Sequence, residues 1–296
     1  NFGQQDGHLY LVTAHVDGIS LAQVLCLLAR GDRVLRLDET LHILAQIAAG
    51  LGYAHQVGVL HGDVKPGNIL IKPVERPLRS GEPAFKAMLA DFGLSPIPQS
   101  GIPQNLSPQM ARPLRRFLPY LSPERQAGQT MDGRSDLYSL GVVLYQLVAG
   151  KLPDYGQSLR DLRPGVPTDL AQIVAKATAY NLADRYQLAE QLADDLRRVS
   201  SRLTAADVLL FAPHAAVVDM QTLLEEDRTA VPVRPPLTSV AEAALLPHPP
   251  TSQNEEDPTP ALPEPEPESQ PLAARSVQPS ASSVRTSPPP AIGDQI

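Results

Sequence analysis

The stretch that decides the reading is His61-Gly62-Asp63-Val64-Lys65-Pro66-Gly67-Asn68, followed 23 positions beyond Asn68 by Asp91-Phe92-Gly93. The first segment is a polar loop between two short apolar runs, Val59-Leu60 and Ile69-Leu70-Ile71, both read as strands. The second follows directly on a strand-like run, Ala87-Met88-Leu89-Ala90. A carboxylate, an ammonium and a carboxamide on one loop can orient a hydroxyl, neutralise a phosphoryl oxygen and ligate a hard cation. Mg²⁺ favours such oxygen ligands, and Asp91 is placed to supply a second one. The plainer alternative is a turn in which Asp and Asn side chains bond their own backbone.

Outward from the loop, residues 1–199 read as a mostly helical globular body. Leu9-Tyr10-Leu11-Val12 reads as a strand ending at the turn Asp17-Gly18. Asp38 is placed to cap a helix whose apolar positions Leu41, Leu44, Ala48 and Leu51 recur at helical spacing, with Gly58 closing it. From Leu137 to Gly150 no residue is charged, and Leu137, Leu140, Gly141, Leu144 and Leu147 recur at helical spacing. Such a segment is too short to cross a bilayer and predicts a buried central helix. Two amphipathic helices follow. Thr168 caps Leu170, Ile173, Val174 and Ala177; then Leu188, Leu192, Leu196 and Val199 share a face.

Composition narrows the function classes. The 296 residues carry 25 Lys+Arg against 32 Asp+Glu, a net charge of −7, which disfavours a general nucleic-acid binder. The single Cys26 excludes a disulfide framework and a Cys-cluster zinc site. No apolar stretch approaches a membrane span and no signal-peptide pattern is present, so the expected location is cytoplasmic. Of the 31 prolines, 17 follow Arg202, among them Pro265, Pro267 and Pro288-Pro289-Pro290. Residues 237–296 read as a disordered tail whose composition cannot offset its ordering entropy. Residues 200–236 are ambiguous: Val208-Leu209-Leu210-Phe211 and Leu223-Leu224 suit a short helix packed on the body.

Taken in order, HGDVKPGN, DFG, SPE and a buried helix opening on Asp resemble the catalytic half of a eukaryotic-type Ser/Thr protein kinase of the bacterial style. HGDVKPGN stands where that family has HRDLKPEN, and Ser122-Pro123-Glu124 takes the place of Ala-Pro-Glu. The resemblance implies an α+β protein-kinase-like fold, mainly the helical C-lobe. Residues 1–17 would be the last N-lobe strand and the hinge, and 18–199 the C-lobe. Within it lie the catalytic loop 61–68 and the activation segment 91–124.

By the same resemblance, Asp63 orients the attacking hydroxyl and Lys65 contacts the transferring phosphoryl group. Asn68 and Asp91 hold Mg²⁺ against the phosphates of ATP. His61 and Phe92 stack within the core beside Gly93, Asp136 braces the catalytic loop from below, and Arg185 pairs with Glu124. Ala14 and Val16 of the hinge face the adenine through their backbone, Thr13 is the gatekeeper, and Leu70 packs beneath the ring. The implied reaction is transfer of the ATP γ-phosphoryl to protein hydroxyls, with protein substrates as partners.

Several departures qualify that pattern. The glycine-rich loop, the strand Lys and its partner Glu belong upstream of Asn1, so residues 1–296 alone are expected to transfer no phosphate. Gly62 replaces the loop Arg that normally binds a phosphate on the activation segment. Phe117 falls where a bridging Thr is usual, and the substrate-side helix between Lys151 and Arg163 looks shortened or absent. A pseudokinase scaffold and a small-molecule phosphotransferase are the alternatives; the latter lacks the DFG, SPE and Arg185 combination. The Pro-rich tail could offer a polyproline II surface to partners with aromatic grooves, a flexible spacer being the plainer reading.

Overall fold

The computed structural model describes residues 2–5, 8–75, 83–94, 118–154, 158–204, 207 and 215–229. All belong to one compact unit, Asn1–Arg234. The expectations for Phe117, for Val208–Phe211 and for the tail 237–296 lie outside the described residues.

The chain opens with an antiparallel hairpin, β1 (Phe2–Gln5) and β2 (His8–Leu11), with Phe2 opposite Leu11. Sequence reading anticipated one strand here, and the structure has two. The segment then runs without regular structure to β3 (Ile19–Ser20), which feeds α1 (Leu21–Ala29). A capping box fixes that start: Gln23 N–H donates to Ser20 Oγ at 3.3 Å, and Ser20 N–H donates to Gln23 Oε1 at 2.8 Å.

After β4 (Arg33–Leu35) comes α2 (Leu37–Gln56), which buries Leu41, Leu44, Ala48 and Leu51 as their spacing predicts. Asp38 does not cap it. The helix begins two residues earlier, with Arg36 as N-cap, because Leu37 is already fully buried in the core. Asp38 sits in the first turn with Glu39, where negative charge suits the helix dipole. Gly58, with φ +76°, follows the C-cap Val57 and lets the chain turn away.

Val59-Leu60 forms no strand, because the Val59 N–H is taken by the Ala54 carbonyl at the helix end, at 2.9 Å. β5 (Ile69–Pro73) and β6 (Phe85–Leu89) complete an antiparallel sheet in the order β3-β5-β6. A short helix α3 (Pro123–Gln126) precedes α4 (Gly133–Ala149), which is buried nearly all round. Gly150 ends α4 in the left-handed region at φ +78°. Among the described residues, the substrate-side region holds a single helical turn, α5 (Leu159–Leu162).

In α6 (Thr168–Ala177) the N-cap is Pro167 rather than Thr168; the Ala171 N–H reaches the Pro167 carbonyl at 3.1 Å. In α7 (Ala189–Ser200) Leu192, Leu196 and Val199 are buried, but Leu188 is 58 % exposed. Leu188 is the N-cap, its backbone N–H held by Gln191 Oε1, so its side chain never joins the helical face. Helix α2 forms the centre of the body, packed against α4, α7 and β6. Helix α4 also meets α6, and closely: a Cβ on Gly141 would lie 2.7 Å from the Ala177 Cβ.

The extension beyond α7 returns to this body. β7 (Ala216–Val218) pairs parallel with β4, and α8 (Met220–Thr229) buries Met220, Leu223 and Leu224. Arg33 holds Glu226 through two bonds of 2.6 and 2.9 Å. Glu39 accepts the Met220 N–H at 2.8 Å, satisfying one of the orphan donors at the start of α8. Burial raises the Glu39 carboxyl to about 7, against the lowering effects of the Met220 N–H and of Arg36.

A carboxyl raised by folding makes the folded state hold more protons than the unfolded chain between about pH 4.5 and 7. Its contribution therefore favours folding at the acidic end of that window and is lost as pH rises through about 7. Glu39→Gln should raise the melting temperature at pH 8, with the gain shrinking towards pH 5. Melting curves of both proteins across pH 5–8 check this.

Candidate active site

The loop His61–Asn68 is held from beneath by one carboxylate. Asp136, 1 % exposed in the first turn of α4, accepts the His61 N–H at 2.9 Å and the Gly62 N–H at 2.8 Å. His55 Nε2, at the end of α2, donates to the same carboxylate at 2.9 Å. Three polar hydrogens thus balance a charge that would be costly to bury alone. Gly62 sits at φ +77°, so the loop bends where a side chain would add strain.

His61 carries the connection to the next motif. Its Nδ1 accepts the Asp63 N–H at 3.1 Å, which leaves the ring proton on Nε2 to donate to the Ala90 carbonyl at 2.9 Å. The Ala90 N–H in turn donates to the Asn68 carbonyl at 2.9 Å. His61 and Phe92 meet edge to face, with centroids 4.5 Å apart. Asp91 follows at φ +64°, a left-handed conformation uncommon for a residue with a Cβ, and its side chain is exposed. Gly93 continues the turn at φ +71°.

Three of the predicted side chains converge. Lys65 Nζ is ion-paired with Asp63 Oδ2. Asn68 Nδ2 donates to the Asp63 carbonyl at 2.9 Å and to Asp63 Oδ2 at 3.0 Å. Because both partners are acceptors, the Asn68 amide is oriented with its nitrogen towards Asp63 and its oxygen free to face a cation. The Asn68 amide oxygen and the exposed Asp91 carboxylate are both oxygen donors, the ligand type that suits Mg²⁺ shared with a phosphate-bearing substrate. Among the described residues no cluster of three or more His, Cys, Asp or Glu side chains forms a metal cage.

The expected hinge is less enclosed. Thr13 and Ala14 are exposed, Val16 is half-buried, and residues 12–17 have no regular structure. Leu70 is half-buried in β5, opposite Ser20 on one side and Met88 on the other.

Farther down, Glu124 and Arg185 form a bidentate ion pair with bonds of 2.9 and 2.8 Å. Arg185 is 1 % exposed and also donates to the carbonyls of Ala179 at 2.6 Å and Tyr180 at 2.9 Å. Ser135 Oγ donates to Glu124 Oε1 at 2.6 Å, tying the pair to α4. Burial alone would push the Glu124 carboxyl up, but the bonds from Arg185 and Ser135 outweigh it and hold it near 2.

Sequence reasoning missed two participants. Nothing in the sequence pattern singles out His55, which lies in the last turn of α2. Arg125 lies directly after Glu124, is 3 % exposed, and donates from Nη1 to the Gly62 carbonyl. A signal was present in the sequence, since Gly62 replaces an Arg, but nothing in the spacing linked the two positions.

Removing one partner of a buried pair strands the other charge, which costs roughly 3–5 kcal/mol. Arg185→Ala should therefore lower the melting temperature far more than Arg198→Ala, whose ion pair with Asp195 is at the surface. The depressed Glu124 adds an acid limb: its stabilisation is complete above its unfolded value near 4.5 and lost as pH falls towards 2. Thermal melts of the two variants, and of the parent protein between pH 6 and 2, check both outcomes.

The chain is similar to known proteins in both sequence and fold. Residues 1–209 match the protein kinase domain family. The serine/threonine-protein kinase PknB of Mycobacterium leprae is 34 % identical over 207 residues, 65 % of this chain and 30 % of that protein. The serine/threonine-protein kinase PrkC of Bacillus subtilis is 30 % identical over 212 residues, 67 % of this chain and 30 % of its own length. The chain thus spans less than a third of the length of these two relatives. The crystal structure of the Mycobacterium tuberculosis PknI kinase domain superposes with a TM-score of 0.51 at 30 % identity, over 67 % of this chain and 69 % of that one. With its catalytic-loop, DFG and SPE segments joined as described, the chain has a protein-kinase-like fold and belongs to the protein kinase family.

Proposed function

We propose that the protein containing this chain is a serine/threonine kinase that transfers the γ-phosphoryl group of MgATP to hydroxyls of protein substrates. The observation that carries this reading is the convergence of Lys65 and Asn68 on the Asp63 carboxylate, at the mouth of a loop whose backbone is fixed by Asp136. Asp63 accepts the hydrogen bond of the substrate hydroxyl and orients it for attack. Lys65, now paired with Asp63, is within reach of both the base and the transferring group. Phosphoryl transfer depends mainly on positioning and charge stabilisation, which is what a rigid loop with one anion and one cation supplies.

Asn68 and Asp91 are the residues that would hold Mg²⁺. When bound, the cation neutralises charge developing on the phosphate oxygens. The turn Asp91-Phe92-Gly93 keeps its carboxylate exposed while His61 and the Ala90 backbone lock the turn to the catalytic loop. The names of the relatives support a Ser/Thr acceptor, and Lys65 two residues after Asp63 agrees with that class.

In the full-length protein, Asp63→Ala and Asp91→Ala should each reduce labelling of a generic basic protein by at least ~100-fold, the scale expected for a lost base or metal ligand. Asp91→Ala should also weaken Mg²⁺-dependent ATP binding, whereas Asp63→Ala should leave it close to that of the parent. Transfer assays with labelled MgATP and titration calorimetry separate the two roles. Robust transfer by either variant would overturn the assignment.

A further inference from the structure

Arg125 occupies a place the proposed chemistry does not yet use. It is 3 % exposed, sits in α3 next to Glu124, and turns its guanidinium inward to the Gly62 carbonyl rather than to solvent. Gly62 immediately precedes Asp63. Its N–H is held by Asp136 Oδ1 at 2.8 Å, and the following N–H, that of Asp63, is held by His61 Nδ1 at 3.1 Å. The Arg125 bond therefore closes a set in which the peptide groups on both sides of Gly62 are fixed, at a residue whose φ of +77° leaves the backbone most free to change.

The charge is as telling as the bond. Burial disfavours the Arg125 cation, while the carboxylates of Asp136, Asp63 and Glu124 favour it. Arg125 is thus a cation set among three acidic groups with distinct duties: the brace of the loop, the proposed base, and the anchor of the segment that ends at Glu124. In related loops an Arg stands at the position of Gly62. Here a guanidinium reaches the Gly62 peptide from α3.

We propose that Arg125 is a positioning residue for Asp63: by bonding the Gly62 carbonyl it fixes the peptide that aims the base, and it couples that aim to the Glu124–Arg185 anchor. This rests on the kinase reading, in which Asp63 orients the acceptor hydroxyl. A shift of about 1 Å in such a group can lower turnover about 100-fold without touching the substrate.

The test uses the full-length protein with Arg125→Met, which keeps much of the packing, and Arg125→Lys, which keeps the charge. Arg125→Met should lower kcat by roughly 10- to 100-fold with KM for ATP within about twofold, since an interaction acting on the transition state alone is lost. Arg125→Lys should recover a substantial part of kcat. Hydrogen exchange supplies a readout that needs no activity. Amides of residues 61–64 should exchange at least about tenfold faster in Arg125→Met while those of 137–147 in α4 stay unchanged, because local opening is separable from global unfolding.

Uniformly faster exchange together with an unchanged kcat per folded molecule would assign Arg125 a merely structural role and overturn the proposal. Unchanged exchange at 61–64 would overturn it as well. If Arg125→Met does not fold, Arg125→Gln and Arg125→Lys carry the same exchange comparison. Asp63→Asn, run in parallel, keeps the two readings apart: full activity there overturns the kinase assignment, while the exchange pattern still decides whether Arg125 holds the loop.

Discussion

The site depends on the Asp136 carboxylate. It is nearly inaccessible to solvent, yet it is satisfied by two backbone N–H groups of the catalytic loop and by His55. Its place in the first turn of α4 adds the favourable end of the helix dipole. One side chain therefore joins α2, the loop His61–Asn68 and α4. Replacing it with an apolar residue would leave two loop amide hydrogens and the His55 ring N–H without their acceptor. The loop can be irregular in backbone and still rigid because its polar groups are answered from below.

Rigidity then spreads in series. His61 receives its backbone position from Asp136 and uses its ring to bind Asp63 N–H on one side and the Ala90 carbonyl on the other. Asn68 is bonded to Ala90 through the backbone and to Asp63 through its amide. The Asp91 turn is thus connected to the catalytic loop twice, once through a ring and once through a peptide. A left-handed non-glycine residue such as Asp91 persists only where its surroundings over-determine it, and these two connections provide that surplus. Glu124 and Arg185 perform the same service at the far end of the segment, with Ser135 returning the load to α4.

How much of this was legible in the sequence follows from the physics each signal carries. Helices α2 and α4 were readable because a buried face imposes a period, and Leu41, Leu44, Leu137 and Leu140 repeat it. The pairing of Arg185 with Glu124 and the bracing by Asp136 were readable only through the order of motifs; 61 residues separate the first pair. Caps were misread where tertiary burial outweighed local preference: Leu37 entering the core moved the start of α2 ahead of Asp38. Val59-Leu60 was misread because its backbone was claimed by the helix end, a hydrogen-bond competition that apolar content does not reveal. Leu188 fell on the right period but outside the helix, so period alone assigned it to a face it does not share.

The extension 215–229 shows a different limit. Ala216-Val217-Val218 is too short to declare itself a strand, and its partner, Arg33–Leu35, lies more than 180 residues earlier in the chain. The pairing is supported by the burial of Met220, Leu223 and Leu224 and by the Arg33–Glu226 and Glu39–Met220 contacts, and the register of such a long-range pairing leaves no local trace. Arg125 belongs to the same class. Its neighbours in sequence, Glu124 and Gln126, face other tasks, and its meaning comes from Gly62, a residue recognisable only by the side chain it lacks. A glycine that frees a backbone and an arginine that fixes it again are separate features in the sequence, and in the folded chain they form one device at the residue before Asp63.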